Sequence, residues 1–142
     1  MLDQNDSSEI KNYYNKLAHD YDNNRFNNSY GQYLDQQERA FLKRILSKTA
    51  PTHCMDIGCG TGRLLDYADY GVDFSPEMLK VAREKYPHKI LLEGSLTEIP
   101  IENHQLEVTY SFHVIMHQDH ATTEQFLNEA QQKLKTNSKL IF

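Results

Sequence analysis

A glycine-rich segment, Met55-Asp56-Ile57-Gly58-Cys59-Gly60-Thr61-Gly62, decides the fold of this protein. Its first three residues belong to a stretch at residues 53–57 that is typical of a buried strand. Its last glycine precedes a short helical pattern at residues 63–67. Glycine allows the backbone to adopt positive φ and to approach a ligand more closely than side chains permit. In a parallel sheet, such a loop lies beyond the carboxyl end of its strand, where ligands bind. The segment therefore predicts a ligand-binding loop.

An acidic residue supports this interpretation. Asp73 ends a second strand-like stretch, fifteen residues after Gly58. A carboxylate at that place can accept hydrogen bonds from the two vicinal hydroxyls of a ribose. Three glycines could also form only a tight turn, but the strand, the loop, the helix and the acid together favour an adenosine ligand. The third glycine of a nicotinamide-dinucleotide loop would fall at Arg63, so the spacing argues against an oxidoreductase of that kind.

Strand and helix patterns alternate along the rest of the chain, which favours an α/β fold with a doubly wound, mostly parallel sheet and helices on both faces. Ser75-Pro76-Glu77 is a strong helix start, and Thr122-x-x-Gln125 resembles a capping box. The predicted strands are residues 53–57, 70–73, 89–93, 106–112 and 139–142. The predicted helices are residues 8–22, 30–47, 63–67, 75–86 and 122–134, with a loop at 23–28.

Composition restricts the class of protein. The chain has 142 residues and a net charge of −5, and residues 51–142 carry thirteen acidic against eight basic side chains. Nucleic-acid binding requires clustered Lys and Arg, so no nucleic-acid partner is expected. No apolar run approaches the ~20 residues that cross a bilayer, and the first residues lack the pattern of a signal peptide. The two cysteines fit neither a disulfide framework nor a zinc site, so a cytoplasmic protein without a membrane partner is expected.

Four segments resemble the ordered motifs of class I S-adenosylmethionine-dependent methyltransferases, in particular members that act on small molecules. The segments are residues 56–62, 70–79, 94–100 and 106–111, and residues 14–22 are similar to the helical prelude of such enzymes. The resemblance implies a Rossmann-like fold, with residues 1–50 as a helical prelude or lid and residues 51–142 as the cofactor-binding core of a single domain. It also implies S-adenosylmethionine as cofactor and a small-molecule methyl acceptor.

The resemblance also implies roles for individual residues. Gly58 and Gly60 would pass beneath the methionine part of the cofactor while Asp56 orients its ammonium group. Asp73 would hold the ribose. The remaining cofactor contacts are implied at Phe74 or Leu96 for adenine, Tyr14 and Tyr21 as a partial lid, Ser111 and Phe112 facing the sulfonium, and Cys59, Gly62 and Ser95 along the motifs.

Two departures from the family pattern stand out. Ser95 occupies a place where many relatives carry an acid that reads the adenine amino group, which predicts a weaker cofactor contact. Only ten residues separate Gly62 from Asp73, so the first helix of the core is expected to be abbreviated.

Three histidines follow the fourth predicted strand. His113, His117 and His120 have helical spacing that would suit a metal, but no acid or cysteine completes a ligand pattern, so no metal site is expected. His117 matches a histidine often found here in related methyltransferases. It is the candidate general base, because its unperturbed pKa of about 6.5 suits proton removal, and a role in the pocket wall is the alternative.

The fifth predicted strand coincides with the end of the chain, so the sheet is expected to lack the C-terminal strands of its relatives. Two functions are therefore carried forward. One is a methyltransferase. The other is a cofactor-binding module or fragment without turnover, whose open sheet edge pairs with a second copy to form a homodimer, because exposed edges invite pairing.

Overall fold

The computed structural model of the protein describes residues 4–142. Within them, a five-stranded sheet has the order β3-β2-β1-β4-β5, and every neighbouring pair is parallel. The strands are β1 Cys54–Ile57, β2 Tyr70–Asp73, β3 Ile90–Glu93, β4 Leu106–Tyr110 and β5 Leu134–Ile141. The helices are α1 Gln4–Leu17, α2 Tyr21–Phe26, α3 Ser29–Ile45, α4 Pro76–Lys85 and α5 His120–Lys133. Short 3₁₀ turns occupy Pro51–His53, Leu65–Tyr67 and Ile115–His117.

Helices cover both faces of the sheet, as the alternating pattern predicts. Met55 and Ile57 of β1 pack in one cluster with Phe126 of α5. Cys54 of the same strand packs on the opposite side with Leu42 of α3. All four residues of β1 are buried, because a strand covered on both faces has no side open to water. The α/β class, the parallel sheet and its helices are therefore confirmed.

The N-terminal region contains one more helix than predicted. Residues 23–28 were expected to form a loop because Asn favours turns, but α2 extends through Phe26. Asn28 then caps α3, since its side chain accepts a hydrogen bond from the Gly31 amide at 2.9 Å. A Cβ atom on Gly31 would lie 2.2 Å from the Arg25 carbonyl oxygen, so the two helices meet at a distance that only glycine allows.

The start of α4 is as predicted, and the start of α5 is not. Ser75 caps α4 by accepting from the Met78 amide, and Pro76 is its first residue. The proposed capping box at Thr122 is wrong, because α5 begins at His120 and Asp119 caps it. The Asp119 carboxylate accepts from the Thr122 amide at 2.6 Å, so Thr122 donates to the cap instead of providing it.

Strand β5 begins five residues earlier than predicted. Leu134, expected in the preceding helix, pairs with Leu106, while Val108 pairs with Lys139. The register therefore shifts between these two pairs, and Asn137 adopts a φ of 63° within the irregular stretch. Irregular backbone of this kind has no hydrophobic period, which is why the sequence pattern identified only the last part of the strand.

Candidate functional site

A cleft of about 600 Å³ lies where the carboxyl ends of the central strands meet the N-terminal helices. Twelve of the fourteen residues proposed from the sequence line it, and Gly62 and Ser111 do not. The twelve are Tyr14, Tyr21, Asp56, Gly58, Cys59, Gly60, Asp73, Phe74, Ser95, Leu96, Phe112 and His117. The structure thus brings together residues that are up to 103 positions apart, from Tyr14 to His117, in one concave site.

The glycine loop connects β1 to the cleft with its backbone in the left-handed region. Gly58 has a φ of 74°, and its amide and that of Cys59 donate to the Val72 carbonyl at 2.8 and 3.0 Å. A Cβ atom on Gly58 would lie 2.6 Å from the Val114 side chain. The chain that follows β4 therefore packs directly on the start of the loop, which requires glycine at position 58.

Position 60 requires glycine for a different reason. It has a φ of 53°, and a Cβ atom built on it meets no protein atom within 4 Å. Because Gly60 lines the cleft, that Cβ would enter space that belongs to the site. The loop at this point is thus a cradle that only a residue without a side chain leaves open.

Asp73 anchors the loop from the end of β2. One of its carboxylate oxygens accepts from the Gly60 amide at 2.8 Å, and the other accepts from the Ser75 amide at 2.9 Å. The backbone amide of Phe74 also hydrogen-bonds to this carboxylate, so about one of its roughly four acceptor positions remains for a ligand. Burial raises the pKa of Asp73, and the hydrogen bonds from Ser75 and Gly60 limit that rise by stabilising the charged form.

Asp56 and Cys59 are buried groups beside the same loop. Burial raises the pKa of Asp56 well above its usual range, and the positive charge of Arg63 acts in the opposite direction. Burial likewise raises the pKa of the Cys59 thiol, and the charges of Asp56 and Asp73 add to that effect. A thiol kept protonated is a poor nucleophile, so the structure favours a packing role for Cys59.

The raised pKa of Asp56 predicts how the stability of the fold changes with pH. An acid whose pKa is higher in the folded state stabilises the folded protein most at a pH below its unfolded pKa of about 4. This contribution to the free energy of unfolding is lost as the pH rises through the pKa of the folded state. Asp56→Asn should therefore raise the melting temperature at pH 7 by a few degrees, on the order expected for ~1 kcal/mol, and the difference should shrink toward pH 4.

Thermal unfolding followed by circular dichroism between pH 4 and pH 8 measures this effect. The exposed Glu84 on α4 provides the control, because Glu84→Gln also removes a carboxylate and should leave the melting temperature unchanged. A lower melting temperature for Asp56→Asn at pH 7 would show that the charged form of Asp56 stabilises the fold.

Helices α1 and α2 are attached to the core around the cleft. Ser75 donates to the side-chain oxygen of Asn15 on α1 at 2.6 Å. Thr61 of the glycine loop donates to Asp22 on α2 at 2.6 Å, and Lys85 forms an ion pair with the same carboxylate. These contacts hold the N-terminal helices over the loop.

Aromatic rings form the wall that these helices contribute. The ring of Tyr14 meets that of Phe74 edge to face at 6.0 Å, and the ring of Tyr21 lies 6.3 Å from that of Tyr14. Edge-to-face geometry is a favourable arrangement for such pairs. The prelude and the end of β2 thus share one aromatic surface on the cleft.

The two proposed residues outside the cleft have structural contacts. Ser111 is buried and donates to the Ile57 carbonyl at 2.8 Å, which joins the ends of β1 and β4. A Cβ atom on Gly62 would lie 2.9 Å from Leu65 and 3.2 Å from Ala82 of α4. These residues support the loop from behind.

The histidines are distributed over different elements, so they do not share one helix face. His113 follows β4, His117 ends the 3₁₀ turn, and His120 begins α5. Across residues 4–142, no group of three or more His, Cys, Asp or Glu side chains is arranged to hold a metal ion. In the same part of the chain, no helix has the length and apolar composition needed to cross a membrane.

Sequence reasoning missed several residues of the site, and three residues that it did not assign form a connected group there. Arg63 and His113 line the cleft, and Glu38 of α3 forms an ion pair with Arg63 and contacts Nε2 of His113. The position of Arg63 directly after the glycine loop was a usable signal. Glu38 is 75 residues from His113, and no local pattern marks a contact over that separation.

Comparison with known proteins agrees with this geometry. Residues 55–142 match the family described as "Methyltransferase domain". An uncharacterized protein of Methanocaldococcus jannaschii is 30% identical over 135 residues, which cover 94% of this chain and 50% of that protein. An uncharacterized methyltransferase of Alkaliphilus oremlandii is 26% identical over 134 residues, covering 82% of this chain and 62% of its own length. This chain therefore spans about half to three fifths of the length of these relatives.

A solved structure with the same fold is phosphoethanolamine N-methyltransferase 1 of Haemonchus contortus, in complex with phosphoethanolamine and S-adenosylhomocysteine. It superposes with a TM-score of 0.73 at 20% identity, covering 94% of this chain and 31% of that one. This similarity shows the Rossmann-like fold. Because the family match covers more than half of the sequence and includes the glycine loop, the chain belongs to the methyltransferase-domain family of class I S-adenosylmethionine-dependent methyltransferases.

Proposed function

We propose that this chain binds S-adenosylmethionine in the cleft and transfers its methyl group to a small-molecule acceptor. The observation that carries the proposal is the pairing of Gly60 with Asp73. The glycine leaves an open cradle, and the carboxylate bonded to its amide keeps an acceptor position for a ribose hydroxyl. Family membership supports the same cofactor, because the matched segment contains both residues.

The residues of the cleft fit the parts of this cofactor. Asp73 would accept hydrogen bonds from the ribose, and Phe74 or Leu96 would pack against adenine, with Ser95 beside them. Gly58 and Gly60 would adjoin the methionine part, and Asp56 would orient its ammonium group. When bound, S-adenosylmethionine supplies an electrophilic methyl group on its sulfonium.

The chain would contribute mainly by positioning. Holding donor and acceptor together removes much of the entropic cost of a bimolecular reaction. Tyr14 and Tyr21 would exclude water above the site, and Phe112 would face the acceptor. His117 is proposed to accept a proton where the acceptor must lose one.

A small-molecule acceptor is supported by a neighbour of the same fold. The Haemonchus contortus enzyme was solved with phosphoethanolamine, which is a small molecule. In this chain, α1 and the segment after β4 both contribute lining residues to the cleft, including Ile10, Gln118 and Thr122, beyond those proposed for the cofactor. These residues are the candidates for the acceptor side.

Calorimetric titration with S-adenosylmethionine, S-adenosylhomocysteine and NAD tests the cofactor. We expect saturable binding of the first two and none of NAD. A folded protein that binds neither adenosyl compound would contradict the proposal.

A panel of small amines, phenols and thiols, assayed by release of S-adenosylhomocysteine, then tests methyl transfer. Turnover with any of them supports the methyltransferase. Tight cofactor binding without turnover on the panel would favour the alternative, a cofactor-binding module.

A further inference from the structure

A bridge of polar side chains, formed by Glu38, Arg63 and His113, connects α3 to the cleft. Glu38 has a side chain that is only 11% exposed, and its two carboxylate oxygens contact different partners. One oxygen accepts from Arg63, which follows the glycine loop, and the other contacts Nε2 of His113, which follows β4. Arg63 also donates to Asp35 at 2.7 Å. Glu38 thus links the two segments that border the glycine loop.

The backbone of His113 adopts an uncommon conformation at this place. Its φ is 61°, in the left-handed region that residues other than glycine rarely occupy. Such conformations cost free energy and persist where surrounding contacts hold them, often at ligand sites. Here the contact with Glu38 holds the side chain, and the next residue, Val114, packs on Gly58. The segment that carries the His113 ring is thereby held at the start of the glycine loop.

Arg63 and His113 differ in the hydrogen-bond donors that they can offer to a ligand in the cleft. Arg63 lines the cleft, but its guanidinium already donates to Asp35 and Glu38. The Cζ atom of the same group lies over the Phe26 ring, 4.3 Å from its centre. His113 uses Nε2 toward Glu38, so Nδ1 is the nitrogen left for a ligand. As an imidazolium, a histidine donates from both nitrogens. A protonated His113 would donate to Glu38 from Nε2 and to an anion from Nδ1 at the same time.

The proposed cofactor carries one anionic group, the carboxylate of its amino-acid end. We propose that His113 binds this carboxylate and that Glu38, through its contact with Nε2, is the positioning residue for the ring. This inference rests on the proposed function, because it assigns a contact to the cofactor of that same site. In this arrangement His113 would bind the carboxylate of the cofactor, while Asp56 of β1 is proposed to orient its ammonium group.

The test compares ligands that differ at the amino-acid end. S-adenosylhomocysteine carries the carboxylate, 5′-methylthioadenosine lacks the whole amino-acid end, and decarboxylated S-adenosylmethionine keeps only the amine. Calorimetry is carried out on the wild type, His113→Asn, Glu38→Gln and His120→Asn. Asparagine is used at position 113 because it tolerates the left-handed conformation. His120 provides the control, since it is an exposed histidine in the same part of the chain and does not line the cleft.

We expect His113→Asn to weaken binding of S-adenosylhomocysteine by at least about tenfold, as for the loss of a charged hydrogen bond. Its affinity for the two ligands without a carboxylate should change by less than about twofold. Glu38→Gln should shift the affinities in the same selective direction by a smaller factor, because the amide keeps an acceptor oxygen but loses the charge. His120→Asn should leave S-adenosylhomocysteine binding unchanged.

Three results would overturn the assignment. They are unchanged binding of S-adenosylhomocysteine by His113→Asn, an equal loss for 5′-methylthioadenosine, and an equal loss for the decarboxylated compound. The failure of the proposed function is distinct, since there the wild type itself would not bind S-adenosylhomocysteine. If His113→Asn does not fold by circular dichroism, the selective shift in Glu38→Gln decides the proposal alone.

Discussion

Asp73→Ala should weaken S-adenosylhomocysteine binding by at least about tenfold, because the ribose hydroxyls lose a charged acceptor. The substitution also removes the acceptor of the Gly60 amide, so the loop would lose the contact that orients it toward the cleft. Two opposing effects act on stability. The backbone amides lose a partner, while the cost of burying the carboxylate disappears. We therefore expect the change to appear mainly in calorimetric binding.

The chain contains a closely matched control for this experiment. Glu93 ends β3 and lies in register with Asp73 in the neighbouring strand. Its side chain is 53% exposed, pairs with Lys11 at 2.9 Å, and does not line the cleft. Glu93→Ala removes an acid from the equivalent strand end and should leave binding unchanged. Equal affinity of Asp73→Ala and the wild type would show that the ribose is not held by Asp73.

Gly60→Ala and Gly62→Ala should separate binding from stability. Both residues have positive φ, so alanine costs about 1–2 kcal/mol at either position. At Gly60 the new methyl enters the open cradle, and we expect the loss of cofactor affinity to exceed tenfold. At Gly62 the methyl meets Leu65 and Ala82, so the free energy of unfolding should fall further.

Calorimetry and chemical denaturation on both variants measure the two effects. Gly62→Ala should bind S-adenosylhomocysteine with nearly wild-type affinity under conditions where it is folded. The interpretation fails if Gly60→Ala binds normally, because the cradle would then not be occupied by the ligand. It also fails if Gly62→Ala is as stable as Gly60→Ala, because the contacts behind the loop would then be unimportant.

Local patterns were sufficient for the features that depend on neighbouring residues. The cleft was predicted from Gly58 and Gly60, which come directly after β1, and from Asp73, which ends β2. Each of these positions is defined by its own neighbours in the sequence. Ser75 and Pro76 predicted the start of α4 for the same reason. Where the chain departs from regular periodicity, prediction failed, as in α2, in the cap of α5 and in the first half of β5.

Contacts between distant segments were decided by the fold. The spacing of three glycines in the loop is uniform, yet Gly60 faces the cleft while Gly62 faces α4, and only packing distinguishes them. Likewise, no pattern in the sequence joins Glu38 to His113 or Asp22 to Thr61. The glycine loop and its acid thus identify the family and the place of the site, because each is encoded within a few residues. The environment of each group, including the burial of Asp56 and the bridge through Glu38, depends on long-range packing, which brings together side chains that the sequence keeps apart.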